Sequence, residues 1–317
     1  MGFKLVICPP NYQDHWPDKL REAIPDIEVQ LCPTVGEAME VIGEADAAFG
    51  DIVPELLERA PNLKWVACPQ AGPRAGYYHQ ALIDSDVVVT NVREIYNDHI
   101  SAHIMSLLLA FARGLQVYIP LQVQGTWQPG YDTVYLPEAT AVIVGLGGIG
   151  GETARLCAAF GLTVLGVDPR LTETPPGVAE LHRPSDLHQV LPRGDFVVVT
   201  VPETPDTQGM FAVDEFRAMK SSAFFINIGR GATVVLDDLV AALRAGEIAG
   251  AGLDVFQTEP LPAGHPLWTA PGVLITPHVA GTGPYLDERR TELFIDNCVR
   301  FNEGRPLRNV VDKAHWF

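Results

Sequence analysis

The sequence is short of cysteine pairs, basic residues and long apolar runs, and each shortage argues against a class of protein. Its five cysteines (Cys8, Cys32, Cys68, Cys157 and Cys298) are odd in number, scattered and never spaced as C-x-x-C. That argues against a disulfide framework or a thiolate zinc site and leaves them as small buried apolar residues. No apolar run approaches the length of a bilayer crossing, and the opening MGFKLVICPP lacks the pattern of a cleaved leader. A cytoplasmic protein is expected. Lysine and arginine total 22 against 39 aspartates and glutamates, a formal net charge of −17. Such a surface repels nucleic acid and anionic membranes, so neither is an expected partner. It also repels small anions, so an acidic substrate would need a local cationic anchor.

What is present is ordinary globular composition: 317 residues, 47% hydrophobic and 19% charged, enough for two domains with separate cores. No internal repeat or low-complexity tract stands out. Over the first hundred residues, KLVICP, IEVQLC, ADAAFG, LKWVACP and DVVVTNV read as strands closed by Pro, Gly, Asp or Asn. Between them DKLREAI and VGEAMEVIGEA have helical spacing, an alternation that predicts a parallel sheet with helices on its faces.

The longest helix candidate, NDHISAHIMSLLLAFARGL, has Asn97 or Asp98 as a cap and Gly114 as a stop. Its apolar content predicts burial on most sides, as at a domain or subunit interface. His99 and His103 are spaced like two metal ligands, but no HExxH glutamate or third ligand accompanies them, and no metal is expected. After the connector WQPGYDTVYLPEA a second series follows: TAVIVG, TVLGVD, DFVVVTVP, AFFINIG, GAGLDV and GVLITP. DERRTELFIDNCVRFNEG then reads as an amphipathic helix stopped by Gly304.

That second series carries the chemistry. Gly145, Gly147 and Gly150 form G-x-G-x-x-G between a strand and a helix, and Asp168 closes the next strand about twenty residues on. The glycines allow a tight turn, close approach of a pyrophosphate and close helix–strand packing, with the helix N-terminus facing the phosphates. Asp168 would accept from the adenosine ribose hydroxyls, favouring NAD over NADP, although Arg170 nearby can offset part of that preference. Further strand ends carry Arg230 between two glycines, Asp254 with Glu259 soon after, and His278 in VLITPHVAGTG. A forked guanidinium suits a carboxylate. An imidazole titrates near ~6.5 when unperturbed, and a carboxylate beside it favours its charged form. Hydride transfer to a carbonyl needs such a proton donor and such a substrate anchor.

The segments LKWVACPQAG, VGLGGIG, VPETPDTQGMF, FINIGRGATVVLDDLVAAL, AGLDVFQTEPLP, LITPHVAGT and NEGRPLRNVV occur in an order that resembles the D-isomer-specific 2-hydroxyacid dehydrogenases. The resemblance covers most of the chain. It implies an α/β fold of two doubly wound parallel-sheet domains with the cleft between them. A flavodoxin-like substrate domain would comprise residues 1–98 plus 285–317, with a Rossmann domain, 99–284, inserted into it. A homodimer with the long helix at its interface is also implied.

Carried over by motif, His278 is the acid/base, Glu259 its partner, and Arg230 the group that binds the substrate carboxylate and polarises the carbonyl. Gly145, Gly147, Gly148, Ile149 and Gly150 would form the pyrophosphate turn, with the Ile149 N–H donating. Thr200, Val201, Pro202, Thr207, Ile228, Gly229 and Arg230 would line the cofactor, joined by Asp168, Asp254 against the nicotinamide amide, and His278. Ala71 and Gly72 would bind the substrate carboxylate through backbone amides.

The expected reaction is NAD(H)-linked interconversion of a small 2-keto acid, such as glyoxylate or hydroxypyruvate, with its D-2-hydroxy acid. Glutamate rather than glutamine at 259 separates the chain from formate dehydrogenase relatives. Phosphoglycerate dehydrogenase is an alternative, made less expected by the lack of a regulatory C-terminal domain. A non-catalytic NAD(H) sensor, like the related corepressors, is another, made less expected by the lack of a long tail. The chain departs from the family at Gly148, usually arginine and without expected consequence, at Ala102, usually glutamate, and at Pro73. Arg74 is either a solvated surface residue or a selector of a second acidic group. Trp127 and Tyr131 either reach an active site, such as a partner subunit's, or, as the preferred reading, pack in a core or interface.

Overall fold

The computed structural model describes residues 2–72 and 76–316. Pro73 and Arg74 lie outside the described residues. The chain forms two compact units, Met1–Ile95 with Gly283–Phe317, and Tyr96–Thr282. It begins with β1 (Lys4–Ile7), α1 (Trp16–Ala23), β2 (Glu28–Leu31), α2 (Val35–Val41), β3 (Ala47–Phe49) and α3 (Pro54–Glu58). β4 (Trp65–Ala67), α4 (Gln80–Asp84) and β5 (Val88–Thr90) complete this stretch. The second unit contains α5 (Asn97–Ala112), α6 (Leu115–Val123), β6 (Thr140–Val144), α7 (Gly148–Ala159), β7 (Thr163–Val167) and β8 (Glu180–His182). It continues with α8 (Leu187–Val190), β9 (Phe196–Val199), α9 (Val213–Ala218), β10 (Phe224–Asn227), α10 (Leu236–Ala245), β11 (Gly250–Leu253) and β12 (Val273–Ile275). Finally α11 (Leu286–Asn302) returns to the first unit.

The first sheet is parallel, in the order β2-β1-β3-β4-β5, the flavodoxin-like arrangement. Its inner strands are apolar on both sides because helices cover both faces, while edge strand β2 exposes Glu28 and Gln30. Leu5, Ile7, Phe49 and Trp65 belong to one core, while Val6, Ala48, Val66 and Val89 belong to the other. On the first of these faces α11 packs beside α1. Phe294 stands 4.6 Å from the Trp16 ring and 4.9 Å from Phe49, and the Trp16 indole N–H donates to Thr291 Oγ1 at 2.8 Å. Each such aromatic contributes about 1.5–3 kcal/mol by burial, so the returning helix is part of this core.

The second sheet is also parallel, in the order β12-β11-β10-β9-β6-β7-β8, with its strand order reversing between β6 and β9. That is the doubly wound dinucleotide-binding arrangement, whose ligands lie at the carboxyl ends of the strands. One face is buried by α5, where Phe111 stacks on Phe224 at 4.7 Å, and Phe224 lies 5.7 Å from Phe196. The burial expected of α5 is thus met, at least on this side, by its own sheet.

Three details differ from the sequence reading. α5 is preceded by Tyr96, whose side chain makes no capping bond, rather than by Asn97 or Asp98. Left-handed Gly114 ends that helical run as expected, but a separate helix that the sequence reading did not mark, α6, follows with Pro120 inside it. β8, only three residues long and at the sheet edge, had no recognisable apolar pattern. Among the described residues no single helix is long and apolar enough to cross a membrane.

Candidate active site

Register decides which side chains meet at the carboxyl edge of the second sheet. Val144 is level with Val167 and Val199, Val199 with Asn227, Asn227 with Leu253, and Leu253 with Ile275. The next residue in each strand is Gly145, Asp168, Thr200, Ile228, Asp254 or Thr276. Six separate stretches of sequence therefore deliver one row of groups, with neighbouring strands about 4.8 Å apart.

At one part of this row lies the glycine turn. Gly145 is left-handed, with φ of 93°. A Cβ on Gly150 would overlap the Gly145 carbonyl oxygen, so α7 packs this close to the turn only because residue 150 is glycine. Gly147 precedes the first turn of α7 without a side-chain cap, and nothing lies within 4 Å of where its Cβ would be. Open space before uncapped helical N–H groups fits an anionic pyrophosphate.

Gly148 is not indifferent to its neighbours. A Cβ there would come within 2.5 Å of Asn97 Nδ2, so a larger residue requires that carboxamide to move. Asp168 is 2% exposed. Its Oδ2 accepts from the Leu146 N–H at 2.9 Å and its Oδ1 from the Arg170 and Leu171 N–H groups. The carboxylate thus ties β7 to the glycine turn. Thr200 Oγ1 donates to the Gly145 carbonyl at 2.8 Å from the other side, and Val201 follows it as a buried residue. Thr207 donates to the Pro202 carbonyl at 2.7 Å. Ile149 is partly buried and Ile228 buried beside the same face of the sheet.

Arg230 follows β10 in a backbone that its neighbours hold closely. Its carbonyl accepts from Asn227 Nδ2 at 3.1 Å and Thr233 Oγ1 at 2.7 Å, while Asn227 Oδ1 accepts the Gly229 N–H. A Cβ on Gly231 would overlap the Phe256 backbone, and one on Gly229 would meet the Val201 carbonyl oxygen at 2.5 Å. The two glycines let this segment lie against adjacent strand ends. Burial lowers the Arg230 pKa while Glu203 and Glu259 oppose the shift; a guanidinium remains charged regardless.

Glu259 connects Arg230 electrostatically with His278. Its Oε2 lies 2.7 Å from His278 Nδ1, and its Oε1 accepts the Phe256 N–H at 2.9 Å. An ionised carboxylate only accepts, so Nδ1 carries a hydrogen and Nε2 is the nitrogen available for proton exchange. The His278 side chain is 49% exposed. Its backbone is left-handed, with φ of 55°, a conformation that costs an ordinary residue about 1–2 kcal/mol.

Asp254 offsets that cost. Its carbonyl accepts the His278 N–H at 2.8 Å, Oδ1 accepts the Val279 N–H and Oδ2 the Ala280 N–H, both at 2.9 Å. At 1% exposed, this carboxylate is almost wholly enclosed.

Sequence reasoning missed Thr276. Its hydroxyl donates to Asp254 Oδ1 at 2.6 Å and lies 3.0 Å from His103 Nε2. The signal available was the threonine two residues before His278 at a strand end. His103 faces a hydroxyl and a carboxylate, and among the described residues no group of three or more His, Cys, Asp or Glu is gathered as metal ligands would be. Ala102 is exposed on α5. Trp127, at 97% exposed, is not a core residue; Tyr131 packs edge-on to Tyr118 and accepts from Gln116. In the first unit, the Ala71 carbonyl accepts from Asn91 Nδ2 at 3.0 Å, which anchors the start of its loop.

Known proteins share both sequence and architecture with this chain. Residues 105–280 match the family model described as D-isomer specific 2-hydroxyacid dehydrogenase, NAD binding domain. A glyoxylate reductase of Thermofilum pendens is 30% identical over 89% of this chain and 85% of its own. A D-isomer specific 2-hydroxyacid dehydrogenase of Xanthobacter autotrophicus, crystallised with NADPH and MES, is 29% identical, with TM-score 0.87 over 99% of both chains. An NADPH-dependent glyoxylate/hydroxypyruvate reductase of Sinorhizobium meliloti, crystallised with NADP and sulfate, is 30% identical, with TM-score 0.83 over 99% of this chain and 100% of that one. The chain belongs to the D-isomer specific 2-hydroxyacid dehydrogenase family.

Proposed function

We propose that this protein reduces a small 2-keto acid to the D-2-hydroxy acid with NADH, and catalyses the reverse oxidation. The observation that carries the reading is the Glu259–His278 pair, in electrostatic reach of Arg230 through Glu259, on a sheet whose glycine turn suits a pyrophosphate. Arg230 forks the substrate carboxylate and polarises the carbonyl. The nicotinamide, when bound, supplies the hydride to the 2-keto carbon. His278 Nε2 gives its proton to the carbonyl oxygen, while Glu259 holds the proton on Nδ1 and keeps the ring oriented. In oxidation Nε2 takes the proton back.

Gly145 to Gly150 would hold the pyrophosphate, with the Ile149 N–H as a donor to it. Thr200, Val201, Pro202, Thr207, Ile228 and Gly229 would line the cofactor, with Asp254 on the side of its nicotinamide. The backbone amides of Ala71 and Gly72 belong to the substrate domain formed by the first unit and take the carboxylate. Asp168 favours NADH: a carboxylate at this strand end accepts ribose hydroxyls and repels a 2′-phosphate. The functional unit is a homodimer, supported by Leu115, Ile119, Val123 and Trp127, exposed apolar residues on and just after α6. A cytoplasmic setting agrees with five free, buried cysteines.

Oxidation of NADH and NADPH across glyoxylate, hydroxypyruvate, a branched 2-keto acid and 3-phosphohydroxypyruvate tests the reading. Turnover is expected with the unphosphorylated acids and NADH. Preference for the phosphorylated acid would instead mark a phosphoglycerate dehydrogenase, and tight NADH binding without turnover would mark a sensor. His278→Asn should lower kcat about 100- to 10,000-fold while retaining NADH binding, and persistent turnover would overturn the mechanism.

A further inference from the structure

We propose that His103 and Thr276 are positioning residues for the reaction: they orient Asp254, which holds the turn carrying His278. The inference rests on the reading of His278 as the proton donor, but its evidence is separate. Thr276 has a single hydroxyl hydrogen, and Asp254 Oδ1, 2.6 Å away, can only accept it. The Thr276 oxygen must therefore accept from His103 Nε2, 3.0 Å away, which assigns the Nε2–H form to His103. A directed chain results, imidazole N–H to hydroxyl to carboxylate.

The chain ends on the acceptor that fixes the catalytic turn. Asp254 receives the Val279 N–H on Oδ1, the Ala280 N–H on Oδ2 and the His278 N–H on its carbonyl. A carboxylate can rotate about its side-chain bonds, and two amides from one short segment move with that segment. Thr276, just after β12, holds Oδ1 as well, and His103 ties that hydroxyl to α5, an element remote in sequence from the turn. His103 Nε2 stands 3.9 Å from Asp254 Oδ1, beyond a direct hydrogen bond, so the Thr276 hydroxyl is the link between them. The partners are 22 and 173 residues apart in sequence, so only the folded second unit assembles them. A well-positioned acid depends on such supporting hydrogen bonds.

Steady-state kinetics with glyoxylate, or whichever 2-keto acid the panel selects, tests the inference, alongside NADH binding by fluorescence and thermal melting. Thr276→Val, which keeps the shape and removes the hydroxyl, should lower kcat roughly 10-fold, with KM and the NADH Kd within about 2-fold. Thr276→Ser should recover at least about half of kcat. His103→Leu should lose activity where His103→Gln, which retains a donor, loses less. Because the residues act in series, the Thr276→Val/His103→Leu double variant should be little worse than Thr276→Val alone.

Thr276→Val and His103→Leu enzymes with kcat within about 2-fold of the parent would overturn the inference, as would losses that simply multiply in the double variant. If Thr276→Val fails to fold, the His103→Leu and His103→Gln pair decides by the same comparison. His278→Asn separates the two levels of argument. A dead His278→Asn enzyme with active Thr276→Val and His103→Leu enzymes refutes only the positioning chain. An active His278→Asn enzyme refutes the reading of the donor itself.

Discussion

The two sheets are built alike, parallel and buried on both faces, yet their strands end in different chemistry. In the first unit, β1, β2 and β4 are each followed by cysteine and proline: Cys8-Pro9, Cys32-Pro33 and Cys68-Pro69. These thiols are buried and free, and burial pushes those of Cys8 and Cys68 up to about 12. In the second unit, the matching row contains Asp168, Thr200, Asp254 and Thr276, with Arg230 and His278 just beyond. Both parallel sheets offer the same kind of location; in the second, charged and hydroxyl-bearing residues gather in one row at the carboxyl ends, and the proposed proton transfer rests on that row. After β1, β2 and β4 of the first sheet the residues at the same position are buried thiols.

This contrast breaks most easily at the second sheet. Arg230→Ala should reduce kcat/KM at least about 100-fold, and Arg230→Lys should recover little because an ammonium lacks the fork. Kinetics on the preferred 2-keto acid measures both, and near-normal activity in Arg230→Lys would mean that charge alone suffices. Gly150→Ala comes next, since its Cβ collides with the Gly145 carbonyl oxygen. NADH affinity should fall by roughly 10-fold or more, readable by titration.

Substitutions in the first unit should affect stability instead. Phe294→Ala should cost about 3–5 kcal/mol in denaturant unfolding through loss of its contacts with Trp16 and Phe49. The smallest effect belongs to the thiols. Their folded pKa lies above the unfolded value, so the unfolded chain releases protons first and stability falls as pH rises from about 9 towards 12. Replacing Cys8 and Cys68 with alanine should flatten that fall in urea midpoints measured at pH 8 and 10, with kcat unchanged.

The residues most legible in sequence were those whose context is local. Gly145 to Gly150 sit between one strand and one helix, and Arg230, Glu259 and His278 stand within short motifs. The apolar runs likewise disclosed eleven of the strands: a doubly covered strand is apolar throughout, and edge strand β2 alternates. Hidden from that reading were pairs that only tertiary folding creates. Asp168 and Leu146 are 22 residues apart, and Thr276 meets a histidine from α5. Asn97 beside Gly148 gives no sign in either segment, because the clash appears only when α5 and α7 pack. β8 escaped because ELH at a sheet edge buries too little to impose a pattern.

The left-handed backbone at residue 278 also acts as a filter on which amino acids evolution can try there. Apart from glycine, that region is entered most readily by asparagine, aspartate and histidine, while β-branched residues are strongly disfavoured. Of this short roster only histidine combines a proton exchangeable near neutral pH with a second nitrogen for a carboxylate to grip. The shape of the chain thus narrows the candidates before reactivity is tested, and a drift towards bulk or branching would be rejected by the backbone as well as by the chemistry.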